Sequence, residues 1–376
     1  MRKVVKKIFY FIIGLFPKNK NKIVLESHPD FTDSAKAIYD YLQIYGKRKY
    51  KFIWLVDNPK KYNKLKLKNT KFINVYKPVS LRYIYHIITS KYLMFGNREI
   101  RWVDLNKQIV ISLTHGLPFK KSRGLLPSEH TFNYLLSSSD KISPYMADEF
   151  IASVDKCIVT GLPRNDILFQ KNKEVEELLH GYDKFIIWLP TYKKHKNVDI
   201  VDSKKYQDKV IPLFNESDLI NLNTKLSKKN ILLMLKFHPA QDLSSLKNIE
   251  LSNIYLWKNE DLEKHNINLY SLLAYSDALI TDYSSVGADY LLRDKPLAYV
   301  RDDMNEYEKN RGFCFEDIDK MSPGDKINTK EDFVSFIEDI IDNKDKYKRE
   351  RKKILNFYHK YQNGTSCKVL IDYFNL

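Results

Sequence analysis

Hydrophobic and polar positions alternate from about residue 22 onward in a rhythm of short strands and helices. Mostly apolar runs, which are typical of buried strands, are separated by stretches with helical spacing. The first series of predicted strands comprises Ile23–Leu25, Phe52–Val56, Phe72–Val75, Tyr92–Phe95, Gln108–Ser112 and Asn133–Ser137. The second series comprises Phe185–Leu189, Ile231–Phe237, Ile254–Leu256, Ala278–Thr281 and Leu297–Tyr299. This alternation predicts an α/β fold built on parallel, doubly wound sheets.

A polar segment with helical spacing, Gln170–Asp183, separates the two series and contains Gly181 near its end, which is typical of a hinge. We therefore expect two α/β domains that face a central cleft, residues 21–178 and residues 179–350. In such domains ligands bind at the carboxyl ends of the strands. The basic segment Lys344–Tyr361 is predicted to be a helix, and residues 351–376 are expected to form a carboxyl-terminal helical segment.

The first 20 residues form a separate segment. A basic start is followed by the largely apolar run Ile8–Phe16, which is shorter than the ~20 residues needed to span a bilayer. Residues 17–20 offer no small-residue cleavage site of a secretory signal. The pattern favours an amphipathic helix that lies on an anionic membrane surface. The alternative is a first helix that packs on the protein's own core.

Composition and charge narrow the function classes. The chain has 376 residues, of which 43% are hydrophobic and 29% charged, so a disordered chain is excluded. The formal net charge of +16 indicates an anionic partner, namely nucleic acid, a membrane surface or a phosphate-bearing substrate. Codon bias is the alternative source of the lysines, but it does not explain why residues 47–77 hold eleven basic residues against Asp57 alone. Three widely spaced cysteines indicate neither a disulfide framework nor a zinc site, and they fit a reducing compartment.

Two segments at predicted strand ends carry histidine or arginine. His115 and Gly116 follow the strand Gln108–Ser112 and precede Lys120, so we interpret His115 as a candidate general base. The second segment, Thr160–Asp166, is a turn that presents Arg164. A histidine with a purely structural role is the alternative to the catalytic interpretation.

Two further segments fit the binding of a phosphate. Lys236 and His238 flank an apolar phenylalanine and are expected to point to the same side of a strand end. The strand Ala278–Thr281 leads into a Thr-Asp-Tyr-Ser-Ser turn, where Ser284 or Ser285 would cap the apolar helix that follows and create an anion site. An ordinary helix cap is the alternative.

The sequence motifs of several enzyme classes are absent. No Gly-x4-Gly-Lys-Ser/Thr loop is present, which excludes a P-loop NTPase. No Gly-x-Gly-x-x-Gly follows a strand, which argues against a NAD-dependent enzyme. The sole Asp-x-Asp, Asp317–Asp319, lies in a loop-like stretch, so an acidic pair that holds a metal is not evident. We therefore expect no metal and no cofactor.

Taken in order, these segments resemble the CDP-glycerol glycerophosphotransferases of teichoic acid and capsule synthesis. Leu117 and Lys193 depart from the threonine and arginine that are usual in that family. The motifs that carry the resemblance are His115–Lys120, Gly161–Asp166, Pro190–Lys193, Lys236–Pro239, Thr281–Ser285, Asp289–Leu292 and Lys295–Pro296.

The resemblance implies a fold of two Rossmann-like domains of the glycosyltransferase-B type, whose terminal helix crosses back. It also implies transfer of glycerol phosphate from CDP-glycerol to a hydroxyl of a polyprenyl-diphosphate-linked or capsular glycan, with release of CMP. The enzyme would be peripheral, on the cytoplasmic face of the membrane. Its catalytic residues would be His115 and His238. Its substrate-binding residues would be Gly116, Lys120, Arg164, Thr191, Lys236, Thr281, Asp282, Ser284 and Ser285.

Three alternatives remain open at this point. Within the family, the donor could be CDP-ribitol or another CDP-alditol. On the same fold, the enzyme could be a sugar transferase. A basic nucleic-acid-binding protein is a third reading, but the basic residues follow no nucleic-acid motif, so no nucleic acid is expected as a partner.

Overall fold

The protein divides into two compact units. The computed structural model describes residues 13–121, 132–190, 211–237, 246 and 249–376. The first unit comprises Met1–Leu117, Arg123–Ile167 and His359–Leu376, and the second comprises Pro118–Ser122 and Leu168–Tyr358. Each unit is built on its own parallel sheet, so the predicted α/β architecture with two parallel sheets is confirmed.

The first unit contains a seven-stranded sheet in the order β3-β2-β1-β4-β5-β6-β7. Its strands are β1 (Asn19–Glu26), β2 (Lys51–Val56), β3 (Thr70–Asn74), β4 (Ser90–Phe95), β5 (Ile109–Ser112), β6 (Tyr134–Ser137) and β7 (Cys157–Val159). The residues Phe52–Val56 of β2 are all buried, as expected of a parallel strand whose two faces are both covered. The strand order reverses between β1 and β4, which opens a crevice at the carboxyl ends of these two strands.

Amphipathic helices connect the strands of the first unit. In the first of them, Ala35, Ile38 and Leu42 are buried at helical spacing, and the helix ends before Gly46. These helices are α1 (Asp33–Tyr45), α2 (Pro59–Asn63), α3 (Leu81–Ile88) and α4 (Ser143–Glu149).

The second unit contains a six-stranded sheet in the order β10-β9-β8-β11-β12-β13. Its strands are β8 (Lys184–Trp188), β9 (Ile231–Lys236), β10 (Ile254–Trp257), β11 (Ala278–Thr281), β12 (Leu297–Val300) and β13 (Asp325–Ile327). Here the order reverses between β8 and β11. The core includes a cluster of aromatic rings in which Trp188 and Phe214 both pack against Phe333, with ring centroids 4.8 Å and 5.0 Å away.

The helices of the second unit are α5 (Lys173–Leu178), α6 (Glu216–Lys228), α7 (Asn259–Lys264), α8 (Leu269–Tyr275), α9 (Val286–Tyr290), α10 (Met304–Asn310), α11 (Ile318–Met321), α12 (Lys330–Ile341) and α13 (Lys348–Tyr358). Capping boxes at Asn215 and Thr329 define where α6 and α12 begin. A further helix, α14 (Ser366–Phe374), belongs to the first unit.

The structure differs from the sequence-based prediction at four elements. The helix expected over Lys344–Tyr361 is confined to Lys348–Tyr358, and the polar helix expected over Gln170–Asp183 is confined to Lys173–Leu178. Strands β7 and β13 were not predicted. Both have three residues: β7 is a short apolar run, and β13 contains a single apolar residue, Ile327, so neither is long enough to show a strand pattern in the sequence.

The described end of the amino-terminal segment contacts the first unit. Ile13 is buried, whereas Leu15 and Phe16 are exposed. The Lys18 ammonium donates hydrogen bonds to the carbonyl oxygens of Ile13 and Ile88, at 2.9 Å and 2.8 Å. Most of the predicted membrane-surface helix lies outside the described residues. Within the part of the chain that the structure describes, no helix has the length and apolarity to cross a bilayer.

Candidate active site

In the first unit, candidate catalytic side chains gather at the carboxyl edge of the sheet. His28 follows β1, Arg98 follows β4 and His115 follows β5. These three strands are neighbours in the sheet, and the reversal of strand order lies between β1 and β4. The edge therefore has the geometry that binds ligands in doubly wound proteins.

The His115 loop has an unusual backbone. Thr114 has a φ of 55°, in the left-handed region that a β-branched residue rarely adopts. The Thr114 hydroxyl accepts a hydrogen bond from the Gly116 amide at 3.4 Å and donates one to the Gly116 carbonyl at 3.2 Å. Such strain persists only where the surrounding contacts hold it, and it is concentrated at functional sites.

Arg164 supplies the contact that holds this loop. Its guanidinium donates to the carbonyl oxygen of His115 at 2.6 Å and to the carboxylate of Asp33 at 3.3 Å. The Arg164 side chain is only 6% exposed. Arg164 was predicted to contact a substrate phosphate. The contacts seen in the first unit fix the backbone of His115, and the contact with phosphate stays a prediction.

The surroundings of His115 favour its neutral form. Its side chain is accessible to solvent. Protein atoms nearby nevertheless displace part of its hydration, and this desolvation lowers the pKa of His115 below its ordinary value. The positive charge of Arg164 lowers the pKa further, whereas Asp33 opposes the shift. A neutral imidazole is the form that a general base requires.

Sequence reasoning missed a polar cluster beside this loop. The Arg98 guanidinium donates to Asp57 Oδ1 at 2.6 Å, to the Tyr76 hydroxyl at 3.1 Å and to His28 Nδ1 at 2.9 Å. Arginine can only donate, so Nδ1 of His28 accepts and a neutral His28 carries its proton on Nε2. The signal was present in the sequence, because the predicted strand Ile23–Leu25 runs directly into Glu-Ser-His-Pro.

Glu26 holds the loop that carries Arg98. The buried Glu26 Oε2 accepts the backbone amides of Gly96, Asn97 and Arg98, each at 3.1 Å. Burial raises the pKa of this carboxyl, while the three amides act in the opposite direction. A single carboxylate thus ties the ends of β1 and β4 together.

The motif Gly161–Asp166 fastens α14 in the first unit. The Asp166 carboxylate accepts the backbone amides of Ser366 and Cys367, at 2.8 Å and 2.7 Å, and so satisfies the start of that helix. Gly161 has a φ of 76°, and a Cβ atom there would lie 2.3 Å from Oγ of Ser366. Both residues therefore serve the packing of the chain terminus.

In the second unit, the turn Thr281–Ser285 follows β11 at the reversal of strand order. The Thr281 hydroxyl donates to the carbonyl of Leu189, which follows β8, at 3.5 Å. The predicted cap differs in detail. Ser285 occupies the N-cap position without a side-chain cap bond, whereas the Ser284 hydroxyl accepts the amide of Val286 at 3.5 Å. Asp282 is buried.

Aromatic stacking connects this turn with Lys120. Tyr283 stacks on Tyr307 with ring centroids 4.0 Å apart and donates its hydroxyl to Asp303 at 2.9 Å. The Lys120 ammonium lies 5.8 Å from the centroid of the Tyr307 ring. The chain passes from the first unit to the second between Leu117 and Pro118, so His115 and Lys120 of one motif belong to different units.

Lys236 ends β9, the neighbour of β8 in the second sheet. Its side chain is half-buried, and desolvation lowers the pKa of its ammonium, with Glu260 opposing the shift. The other two predicted residues of this unit, His238 and Thr191, lie outside the described residues. Within the described ranges, no group of three or more His, Cys, Asp or Glu side chains is arranged to hold a metal ion.

Comparison with known proteins agrees with these motifs. A teichoic acid poly(glycerol phosphate) polymerase of Bacillus spizizenii is 28% identical over 400 residues, which cover 98% of this chain and 95% of that protein. A teichoic acid poly(ribitol-phosphate) polymerase of the same species is 25% identical over 401 residues, 99% of this chain and 59% of the relative. The fold matches that of the wall teichoic acid polymerase TagF, in a variant soaked with CDPG. The TM-score is 0.72 at 20% identity, over 100% of this chain and 95% of that one.

The model of the CDP-glycerol:poly(glycerophosphate) glycerophosphotransferase family matches residues 8–374. That match spans both sheets and every motif on which the sequence resemblance was based, so the resemblance is confirmed. This chain belongs to the CDP-glycerol:poly(glycerophosphate) glycerophosphotransferase family, and its relatives include transferases of teichoic acid synthesis.

Proposed function

We propose that this protein transfers glycerol phosphate from CDP-glycerol to a hydroxyl of a lipid-linked or capsular glycan, with release of CMP. The observation that carries the proposal is the position of His115. It is a solvent-accessible imidazole, kept neutral by its surroundings, on a strained loop at the carboxyl edge of the first sheet. The family supplies the chemistry in which such a base is useful.

The reaction is a phosphoryl transfer. His115 removes the proton of the acceptor hydroxyl, the hydroxyl oxygen attacks the phosphorus that bears glycerol, and the bond between that phosphorus and the CMP oxygen breaks. In phosphoryl transfer most of the protein's contribution is positioning and charge stabilisation. Arg164 contributes by holding the backbone of His115, and Gly116, which has no side chain, lets the acceptor approach the backbone beside the imidazole.

The second unit holds the donor in this proposal. Lys236 neutralises charge on the diphosphate, with His238 and Thr191 as further contacts. The hydroxyls of Ser284 and Ser285 form the other wall, the buried Thr281 and Asp282 hold the turn that carries them, and Lys120 stabilises charge that develops on the departing CMP. The half-buried position of Lys236 supports this role, because a desolvated ammonium binds an anion more strongly than one in bulk water.

The donor is tested by supplying CDP-glycerol, CDP-ribitol and common UDP-sugars with lipid-linked acceptors and measuring the nucleotide released. We expect CMP from CDP-glycerol, with glycerol phosphate found on the acceptor. Release of CMP from CDP-ribitol alone would show that the donor is CDP-ribitol and not CDP-glycerol. The similarity to a ribitol-phosphate polymerase over 99% of the chain favours this alternative. Release of UDP would instead indicate a sugar transferase and contradict the proposal.

We also propose that the protein works on the cytoplasmic face of the membrane as a peripheral enzyme. The exposed Leu15 and Phe16 support an apolar attachment, with the basic residues of the first 22 positions attracted to anionic lipid. A variant without residues 1–17 should use a soluble acceptor normally and lose activity on acceptor in vesicles. Equal vesicle binding by both forms at every salt concentration would contradict the attachment.

A further inference from the structure

A cavity of about 570 Å³ opens at the amino ends of the strands of the first unit. Its walls come from the starts of β1, β2 and β3 and from the end of α3. His115 lies at the opposite, carboxyl edge of the same sheet. The six residues of β2 span about 20 Å between these two edges, at ~3.3 Å per residue. The cavity is therefore separate from the candidate active site.

Three lysines from three neighbouring strands converge on this cavity. Lys22, Lys51 and Lys71 all line it, and Lys22 and Lys51 are directly paired in the register of β1 and β2. No acidic side chain lines the cavity among the described residues, and none of the three lysines forms an ion pair with a described carboxylate. Like charges at short range repel one another. An anion bound between them would relieve that repulsion.

Lys22 is the most confined of the three. Its side chain is only 6% exposed. Its ammonium donates to the Thr89 hydroxyl at 2.6 Å and lies 4.7 Å from the centroid of the Tyr85 ring. Burial, together with the charges of Lys71 and Lys51, lowers the pKa of Lys22 to about 8. An ammonium has three donors, so the bond to Thr89 leaves donor capacity for a ligand.

His86 adds an unsatisfied group to the same wall. The ring lines the cavity, is 8% exposed, and its Nδ1 has no hydrogen-bond partner among the described residues. Burial and the charges of Lys22, Lys71 and Arg82 lower the pKa of His86 to about 4. A buried polar atom without a hydrogen-bond partner is rare, because the free-energy cost of its desolvation is not offset by a hydrogen bond. Such an atom in the wall of a cavity points to a ligand that completes it.

We propose that this cavity, the amino-edge pocket formed by Lys22, Lys51, Lys71, Tyr85, His86 and Thr89, binds the phosphate group of a phosphomonoester or phosphodiester. Its size lies within the range of small-molecule sites. Lysines bind phosphate as point charges, and the Thr89 hydroxyl and the His86 ring add hydrogen-bonding groups. The inference does not depend on the donor or on the reaction proposed above.

The pocket also gives a role to a feature that the candidate active site leaves unexplained. Residues 47–77 contain eleven basic residues against a single acid, and two of them, Lys51 and Lys71, line the pocket. A phosphate could come from a soluble ester or from the headgroup of an anionic lipid. Both sources share the same chemistry, and experiment can separate them.

The test uses the full-length protein and two double variants of equal charge. Lys51→Gln with Lys71→Gln removes two charges from the pocket. Lys60→Gln with Lys64→Gln removes two exposed charges from α2 and the residue that follows it, outside the pocket. Calorimetric titration with inorganic phosphate and with glycerol 3-phosphate should show saturable binding to the unaltered protein. The pocket variant should bind roughly tenfold or more weakly, as expected when charged contacts are lost, whereas the control should change less than about twofold.

Vesicles separate the two sources of phosphate. If the ligand is a lipid headgroup, the pocket variant should co-sediment less with phosphatidylglycerol vesicles than the control does. Glycerol 3-phosphate should then release the unaltered protein, and phosphatidylcholine vesicles should bind neither variant. If the two variants bind phosphatidylglycerol equally while only the pocket variant loses phosphate binding, the ligand is a soluble ester. Absence of saturable phosphate binding, or equal phosphate affinities of the two double variants, overturns the proposal.

Discussion

The two units hold their candidate residues by different means. In the first unit, buried charged groups hold the loops, with Arg164 on the carbonyl of His115 and Glu26 on three amides after β4. In the second unit, a ring stack adds to a side-chain hydrogen bond in the turn after β11, where Tyr283 lies against Tyr307 and donates its hydroxyl to Asp303. A charge-assisted hydrogen bond fixes direction as well as distance, whereas a ring stack fixes mainly separation.

The difference suggests that the charged contacts of the first unit position a catalytic residue, whereas the residues of the second unit bind the donor. In the first unit the buried side chains of Arg164 and Glu26 form hydrogen bonds with backbone groups of the loops. Their contribution is therefore to position the accessible imidazole of His115. In the second unit Lys236 and Ser284, the residues proposed to contact the donor, are half-buried and so are accessible to a ligand. The comparison predicts that variants in the first unit change the rate or the stability, and that variants in the second change the affinity for the donor.

The largest effect is expected at His115. His115→Ala should lower the turnover rate roughly 10²–10⁴-fold, because the general base is lost. The affinity for CMP and the urea midpoint of unfolding should be unchanged, since the His115 side chain supports neither the donor nor the fold. Steady-state kinetics and calorimetry measure both. A variant that keeps more than about a third of the rate would show that His115 is not the base.

Asp166 should affect stability more than chemistry. Asp166→Ala leaves the amides of Ser366 and Cys367 without partners, and we expect a loss of about 3 kcal/mol in the free energy of unfolding. Asp166→Asn, which keeps one acceptor oxygen, should lose less. Urea denaturation monitored by tryptophan fluorescence gives both values. Equal stability of the alanine variant and the unaltered protein would show that the hydrogen bonds from the start of α14 to Asp166 do not stabilise the fold.

Lys236 should affect donor affinity. Lys236→Met removes a charged contact to the diphosphate, so CDP-glycerol and CMP should bind more weakly by about 1.5–3 kcal/mol. Lys264→Met, at an exposed lysine in the last turn of α7, is the matched control and should leave the affinity unchanged. If both variants bind CMP as the unaltered protein does, Lys236 lies outside the donor site.

The smallest effect is a displacement of the pH profile. A base acts when deprotonated, so kcat/KM should be constant above the pKa of His115 and fall as pH falls through it. Because that pKa is lowered, the acid limb should lie below the ordinary value of 6.5. Asp33 opposes the lowering, so Asp33→Asn should move the limb to still lower pH. Movement to higher pH, or no movement, would argue that another group titrates in this limb.

Most of the sheet framework was predictable from the sequence. Eleven strands were recognised because each contains a mostly apolar run, which is the pattern of a parallel strand covered on both faces. The two strands that were missed, β7 and β13, have three residues each, and packing against a neighbour decides their conformation. The basic helix was predicted too long because charge and spacing alone do not show where a helix ends.

Site residues were predictable only as positions along the chain. The sequence by itself determined that His115, Lys236 and Thr281–Ser285 lie at or just after the ends of apolar strands, and each parallel sheet brings the ends of its own strands to one edge. Tertiary structure alone decided that Arg164 binds the carbonyl of His115, that Asp166 caps α14, and that Arg98 reaches His28. These contacts join residues separated by 49, 200 and 70 positions. A local pattern carries no information about such partners, because the packing of the whole sheet selects which distant groups meet.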